Sequence, residues 1–131
     1  MTAQLDATVL DSSAVLAWLR DEPGAATVHP LLPAAIMSAA NWSETWQKLN
    51  QHGVDAHHAT SRLRTLGVRV EPLTDADTVT AAMLWAQTRT AGLSLGDRCC
   101  LALADRLALI AVTADTAWAG LDIDIPVQII R

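Results

Sequence analysis

Apolar residues fall in short blocks, and the blocks alternate between strand-like runs and helical spacing. Thr8-Val9-Leu10 is a β-prone run that stops at Asp11. A helix is predicted from Ser12 or Ser13, with Val15, Leu16, Trp18 and Leu19 as its apolar positions and Asp21-Glu22-Pro23-Gly24 as its stop. Ala34 to Met37 reads as a second strand. The next helix starts at Ser38 or Asn41, places Trp42, Trp46 and Leu49 at helical spacing, and ends at His52-Gly53. Val54 to Leu66 reads as a further helix with Gly67 at its C-terminus. Val68 to Glu71 then fits a short strand. Thr74-Asp75-Ala76-Asp77 resembles a capping box, opening a helix with Val79, Met83 and Ala86 on one side that closes at Ala91-Gly92. Ser94 opens another helix, apolar almost all round from Cys99 to Ala108 and therefore largely buried. Leu109 to Thr113 reads as a central strand, and Val127 to Ile130 as a last one. This alternation predicts an α/β fold, with a mainly parallel sheet covered by helices on both faces.

Composition narrows the class. Half of the 131 residues are apolar and 18% are charged, so the chain is globular, and its length fits one domain spanning residues 1–131. The N-terminal stretch Met1 to Asp6 has no basic region followed by an apolar run, so no secretory signal is expected. The longest stretch without Asp, Glu, Lys or Arg, Pro23 to Ser43, is broken by Pro30 and Pro33 and is a poor membrane span. Cys99 and Cys100 are adjacent and lack metal or redox spacing; they read as small buried residues in a reducing compartment. These features predict a soluble, cytoplasmic protein. A net charge of −5 argues against a broad nucleic-acid-binding face. It leaves room for a local grip through a few arginines.

The chemistry lies at the junctions. Asp11, Glu44, Asp97 and Asp115 each sit where an apolar segment gives way to a helix start. Parallel strands bring such junctions to one sheet edge. Four carboxylates there repel one another unless protons or a divalent cation neutralise them, which points to Mg²⁺ or Mn²⁺ and to phosphate chemistry. Each acid also has a structural explanation. Asp11 could cap the first helix, Asp97 could close a box with Ser94, and Asp115 could cap Thr116 to Trp118. Glu44 could pair with Lys48 at i,i+4 or close a box with Asn41. His52, His57 and His58 read as solvated, because adjacent histidines point to different sides of a helix. Asp75 and Asp77 read as helix-start residues, and Trp42 and Trp46 as core or interface. Arg98, beside Asp97, could meet a phosphate.

Several of these stretches resemble one family. Val9-Leu10-Asp11-Ser12-Ser13-Ala14 resembles the opening strand and acidic turn of PIN-domain ribonucleases, and Glu44 follows at the distance of that fold's second acid. Leu93-Ser94-Leu95-Gly96-Asp97-Arg98-Cys99-Cys100 resembles the third acidic motif of VapC-type toxins, the most specific part of the match, and Val112-Thr113-Ala114-Asp115 resembles the fourth. The resemblance implies a PIN-like three-layer α/β/α sandwich that cleaves RNA, often a transfer or ribosomal RNA, with Mg²⁺ or Mn²⁺. It also implies a homodimer silenced by a VapB-like antitoxin, which would lay an amphipathic segment in an apolar groove that Trp18, Trp42 or Trp46 could line. By motif position, Asp11, Glu44, Asp97 and Asp115 would be the metal-binding acids, with Ser13 and Thr113 as polar supports. Some relatives add an acid after the fourth motif; here Thr116, Ala117 and Trp118 follow. Three rivals compete. An aspartate-nucleophile phosphatase wants an acid where Ser13 stands, and a phosphorylatable receiver wants a late lysine, whereas Lys48 is the only lysine. A non-catalytic binding module would keep the fold alone.

Overall fold

The computed structural model describes residues 6–131; Met1 to Leu5, part of the stretch read above for a secretory signal, lie outside them. Five strands form one sheet, β1 (Thr8–Leu10), β2 (Ala35–Ser38), β3 (Arg69–Glu71), β4 (Ile110–Thr113) and β5 (Val127–Ile129). Every pairing is parallel, and the spatial order is β3-β2-β1-β4-β5. The expected mainly parallel sheet is thus wholly parallel. The chain steps from β1 outward to β3, then returns to the other side of β1 for β4 and β5. Such a reversal opens a crevice at the C-terminal ends of the two strands beside it, here β1 and β4.

Seven α-helices cover the sheet: α1 (Ser12–Leu19), α2 (Ala25–Val28), α3 (Ala39–Gln51), α4 (Ala56–Thr65), α5 (Asp75–Met83), α6 (Trp85–Thr88) and α7 (Leu95–Leu107). The strands' period of two divides the core. Leu10, Met37 and Val112 point to the face covered by α1, α2 and α4, where they meet Val15, Val28 and Leu63. Val9, Ile36 and Ala111 point to the other face and meet Cys100, Leu101 and Ala104 of α7. Helix α3 packs against both α1 and α7, joining the two layers. Cys99 and Cys100 are free thiols buried within α7, and burial raises both above the ordinary thiol value, Cys100 well above it. No helix among the described residues is long and apolar enough to cross a membrane.

Two expectations need correction. The helix after Thr74 does not bury Val79 and Met83, which are 62% and 72% exposed; Asp77, Ala81 and Leu84 face inward. A helix-start acid such as Asp77 is ordinarily solvated, because charge is expensive to bury. Asp77 escapes that cost because Arg106 reaches it from α7 (Nε–Oδ1 2.9 Å, Nη2–Oδ2 3.1 Å). The second concerns residues 25–34, for which the sequence predicts no element except a strand beginning at Ala34. They form α2 and a 3₁₀ turn, His29–Ala34, with Pro30 in its first turn, where the missing amide costs nothing.

Candidate active site

The ladder between β1 and β4 builds the centre of the site. Leu10 lies opposite Val112, and the Asp11 amide donates to the Val112 carbonyl (2.8 Å), so Asp11 lies beside Thr113. Asp11 stands at the N-cap of α1 with extended backbone, yet its side chain makes no cap hydrogen bond. Its carboxylate Oδ2 instead accepts from Ser13 Oγ (2.7 Å) and Thr113 Oγ1 (3.0 Å). Both hydroxyls accept backbone amides in turn, Ser13 from Ala114 (3.0 Å) and Thr113 from Asp115 (3.1 Å). Each hydroxyl proton is thereby directed at Asp11. The other oxygen, Oδ1, is buried and has no partner among the described residues, although the residue is only 2% exposed. Burial is the largest influence on this carboxyl and pushes it up to about 6; the Ser13 hydroxyl opposes that, the charge on Asp97 adds to it, Thr113 opposes and Glu44 adds.

The other three acids line the same cleft of about 480 Å³. Glu44, in the second turn of α3, is held by Asn41 Nδ2 (2.9 Å) and, at longer reach, by Ser12 Oγ (3.5 Å), both onto Oε1. Asn41 is fully buried and also donates to the Gly96 carbonyl (3.0 Å), tying α3 to the start of α7. A Cβ at Gly96 would meet the Glu44 carboxylate at 2.5–2.7 Å, so the absence of a side chain there lets Glu44 lie against α7. The i,i+4 pairing of Glu44 with Lys48 does not form: among the described residues no ion pair joins them, and Glu44 turns to Asn41. Helix α3 is capped by Ser38, which leaves Asn41 free for this task.

Asp97 and Asp115 combine both readings. Asp97 closes the capping box with Ser94 (Ser94 N to Oδ2 2.9 Å; Asp97 N to Ser94 Oγ 3.1 Å) and still borders the cleft. Asp115 caps the 3₁₀ turn Thr116–Trp118 through Oδ1, which accepts from the Ala117 amide (2.9 Å), and is solvent-exposed. The four acids therefore share a cleft. Among the described residues, however, no three His, Cys, Asp or Glu side chains form a ready-made metal-ligand set.

The sequence profile of the PIN domain matches residues 8–123. This chain belongs to the PIN-domain family. Among solved structures, the PIN domain is similar to the toxin–antitoxin complex from Klebsiella pneumoniae (TM-score 0.77, 16% identity, 95% of this chain and 98% of that one). It is similar also to Mycobacterium tuberculosis VapC20, a sarcin-ricin loop cleaving toxin (0.66, 20%, 92% and 99%), and to FitAcB of Neisseria gonorrhoeae (0.68, 21%, 94% and 97%). At these identities the likeness concerns the fold. No curated protein sequence matches.

Several groups in the PIN domain's cleft have no place in the sequence reading of the site. Arg20, Lys48 and Arg131 line it, together with Glu22, which pairs with Arg131 (3.6 Å). Three cations thus face five carboxylates. Arg98, the residue suspected of meeting a phosphate, turns away and donates to the Ala81 carbonyl (2.7 Å), fastening α7 to α5. The histidines His52, His57 and His58 are exposed, as expected. The indoles Trp18 and Trp42 pack partly on the core under Arg62 and Arg64. The donor chemistry suits a hard divalent ion: every candidate ligand is a carboxylate oxygen, and Asp11 Oδ1 is buried with nothing to satisfy it. An incomplete carboxylate cage also suits Mg²⁺, which keeps several of its waters.

Proposed function

We propose that this PIN domain is a Mg²⁺- or Mn²⁺-dependent endoribonuclease, the toxin of a type II toxin–antitoxin pair, acting in the cytoplasm and held silent by a VapB-like antitoxin. The observation that carries the reading is the unpartnered, buried Oδ1 of Asp11 at the sheet's reversal point, in a cleft shared with Glu44, Asp97 and Asp115. Toxin–antitoxin proteins among the structural relatives support it, and the reading includes a homodimer.

In the mechanism, Asp11 and Asp97 would hold the divalent ion. Bound there, the ion would supply charge neutralisation at the phosphate and a more acidic water. Ser13 and Thr113 fix the Asp11 carboxylate by donating to one oxygen, which leaves the other without a partner among the described residues. Glu44, held by Asn41, or Asp115 would orient the water for in-line attack on the phosphodiester. The attacking oxygen bonds to phosphorus as the bond to the leaving ribose oxygen breaks. An accessible single-stranded loop suits such a cleft better than an A-form duplex, whose deep major groove excludes side chains.

One observation favours a non-catalytic PIN module instead: Asp97 and Asp115 each have an oxygen engaged in capping a turn. A cleavage assay separates the two. Purified protein with Mn²⁺ is expected to cut folded RNA, while Asp11→Asn and Asp97→Asn are expected to be inactive. Undiminished cleavage in both variants would reject the assignment, and an inert wild type would favour the module.

A further inference from the structure

Two rows of side chains climb one wall of the cleft. On α1, Ser12, Leu16 and Arg20 recur every four residues; on α3, Glu44 and Lys48 do the same. The rows meet at the bottom, where Ser12 donates to Glu44 (3.5 Å). The Arg20 amide donates to the Leu16 carbonyl (2.9 Å), so Arg20 stays in register with its row. At 1.5 Å per residue, Lys48 is rooted about 6 Å above Glu44 and Arg20 about 12 Å above Ser12. The acids therefore occupy the floor of this wall and the cations its lip.

The remaining positive charge already has partners. The chain has nine Lys and Arg residues. Three guanidinium groups lie over indole rings, three make ion pairs, and Arg98 holds a backbone carbonyl. Among the described residues, Arg20 and Lys48 alone have charged groups with no hydrogen-bond, ion-pair or indole partner, and both border the acidic cleft. Lys48 stands one turn from Glu44, where pairing is easy, and does not pair because Asn41 holds that carboxylate. A polyanion entering a cleft with more carboxylates than cations needs an attractive contact outside the acid cluster.

We propose that Arg20 and Lys48 form a phosphate-gripping rim that seats the RNA backbone on either side of the bond presented to the acids. The inference rests on the nuclease reading and assigns its substrate contacts. The structural alternative is that both cations merely complement helix C-terminal dipoles, Arg20 as the C-cap of α1 and Lys48 in the last turn of α3. That role would change melting temperature and leave RNA affinity untouched.

The test measures binding of a short, labelled, single-stranded RNA against salt concentration, in the Asp11→Asn background to suppress cleavage. Arg20→Gln with Lys48→Gln is expected to flatten the slope of log K against log salt by about 1.4, at roughly 0.7 per lost single-strand phosphate contact. With Asp11 restored, the same pair should raise KM more than it lowers kcat. Arg69→Gln, away from the cleft, is the control and should leave the slope unchanged. If the wild type cleaves RNA but the double variant keeps the full slope, the rim is overturned and the nuclease reading stands. An unchanged slope with lost inhibition by the antitoxin overturns it too and gives the two cations to the protein partner. Should the wild type neither bind nor cleave RNA, both conclusions fall.

Discussion

Two helices of this PIN domain begin with the same device and put it to opposite use. At α5, Thr74 and Asp77 form a reciprocal capping box; at α7, Ser94 and Asp97 form another. The local geometry is nearly identical, with side chain-to-amide contacts of 2.9–3.2 Å in both. What differs is what lies across from each carboxylate. Asp77 is buried and faces the Arg106 guanidinium. Burial alone would raise its carboxyl, but Arg106 and the Thr74 amide and hydroxyl hold it below its usual range. Asp97 faces Asp11, whose carboxyl it pushes further up. A capping box thus fixes a backbone without deciding whether its acid is structural or available for chemistry. The third dimension decides that.

The comparison breaks most visibly by exchanging the two losses. Asp97→Asn keeps an acceptor for the Ser94 amide and should cost less than about 1 kcal/mol of stability. It should lower RNA cleavage at least about 100-fold, or roughly 3 kcal/mol at the barrier. Asp77→Asn should do the reverse, losing about 2 kcal/mol of stability through its weakened contact with Arg106 while leaving cleavage per folded molecule unchanged. Thermal melts and a cleavage time course on the same samples check both; parallel behaviour would erase the distinction.

A second, comparable effect concerns pH. The Asp11 carboxyl is raised in the folded protein, so the native state binds a proton more tightly than the unfolded chain between the ordinary value near 3.8 and about 6. Stability therefore falls as pH rises through that window, by about 3 kcal/mol in full above pH 7. Asp77 has the opposite sign: its lowered value contributes stability above the ordinary carboxylate pKa, lost as pH falls below it. Metal-free Asp11→Asn should accordingly melt higher than wild type at pH 7.5, and the gap should close near pH 3.5. Added Mn²⁺ should narrow the gap at pH 7.5 by stabilising the wild type alone. A gap independent of pH would contradict the burial argument.

The smallest effect sharpens the role of α7's first turn. Gly96→Ala adds helix propensity worth up to about 1 kcal/mol but drives a methyl into the Glu44 carboxylate. Since Glu44 can swing away, stability should change by less than about 1 kcal/mol, while cleavage falls because Asn41 loses its hold. Cleavage equal to wild type would mean that Glu44 does not need that position.

Much of this was legible in the chain and part was not, for reasons the comparison makes plain. β1, β4 and α7 could be read because their apolar runs are continuous and end at sharp signals, and both capping boxes could be read because they are local. Asp11 could be placed because it directly follows a strand. The inward turn of Asp77 was hidden because its partner, Arg106, lies 29 residues away. Asn41 passed for a helix-start residue, since its contact with Gly96 spans 55 positions. The place of Arg20 and Lys48 in the cleft was hidden because nothing in a linear pattern separates a free cation from one that is paired or stacked on an indole.

The pairing of β1 with β4 also sets a time for the chemistry. Asp11 is made early, but the hydroxyl that completes its seating, Thr113, comes 102 residues later. A nascent chain still on the ribosome would carry Asp11, Glu44 and Asp97 well before the strand that binds them into one cleft. The cleft can therefore close only once β4 has been made and has paired with β1, whatever the order in which its acids emerge.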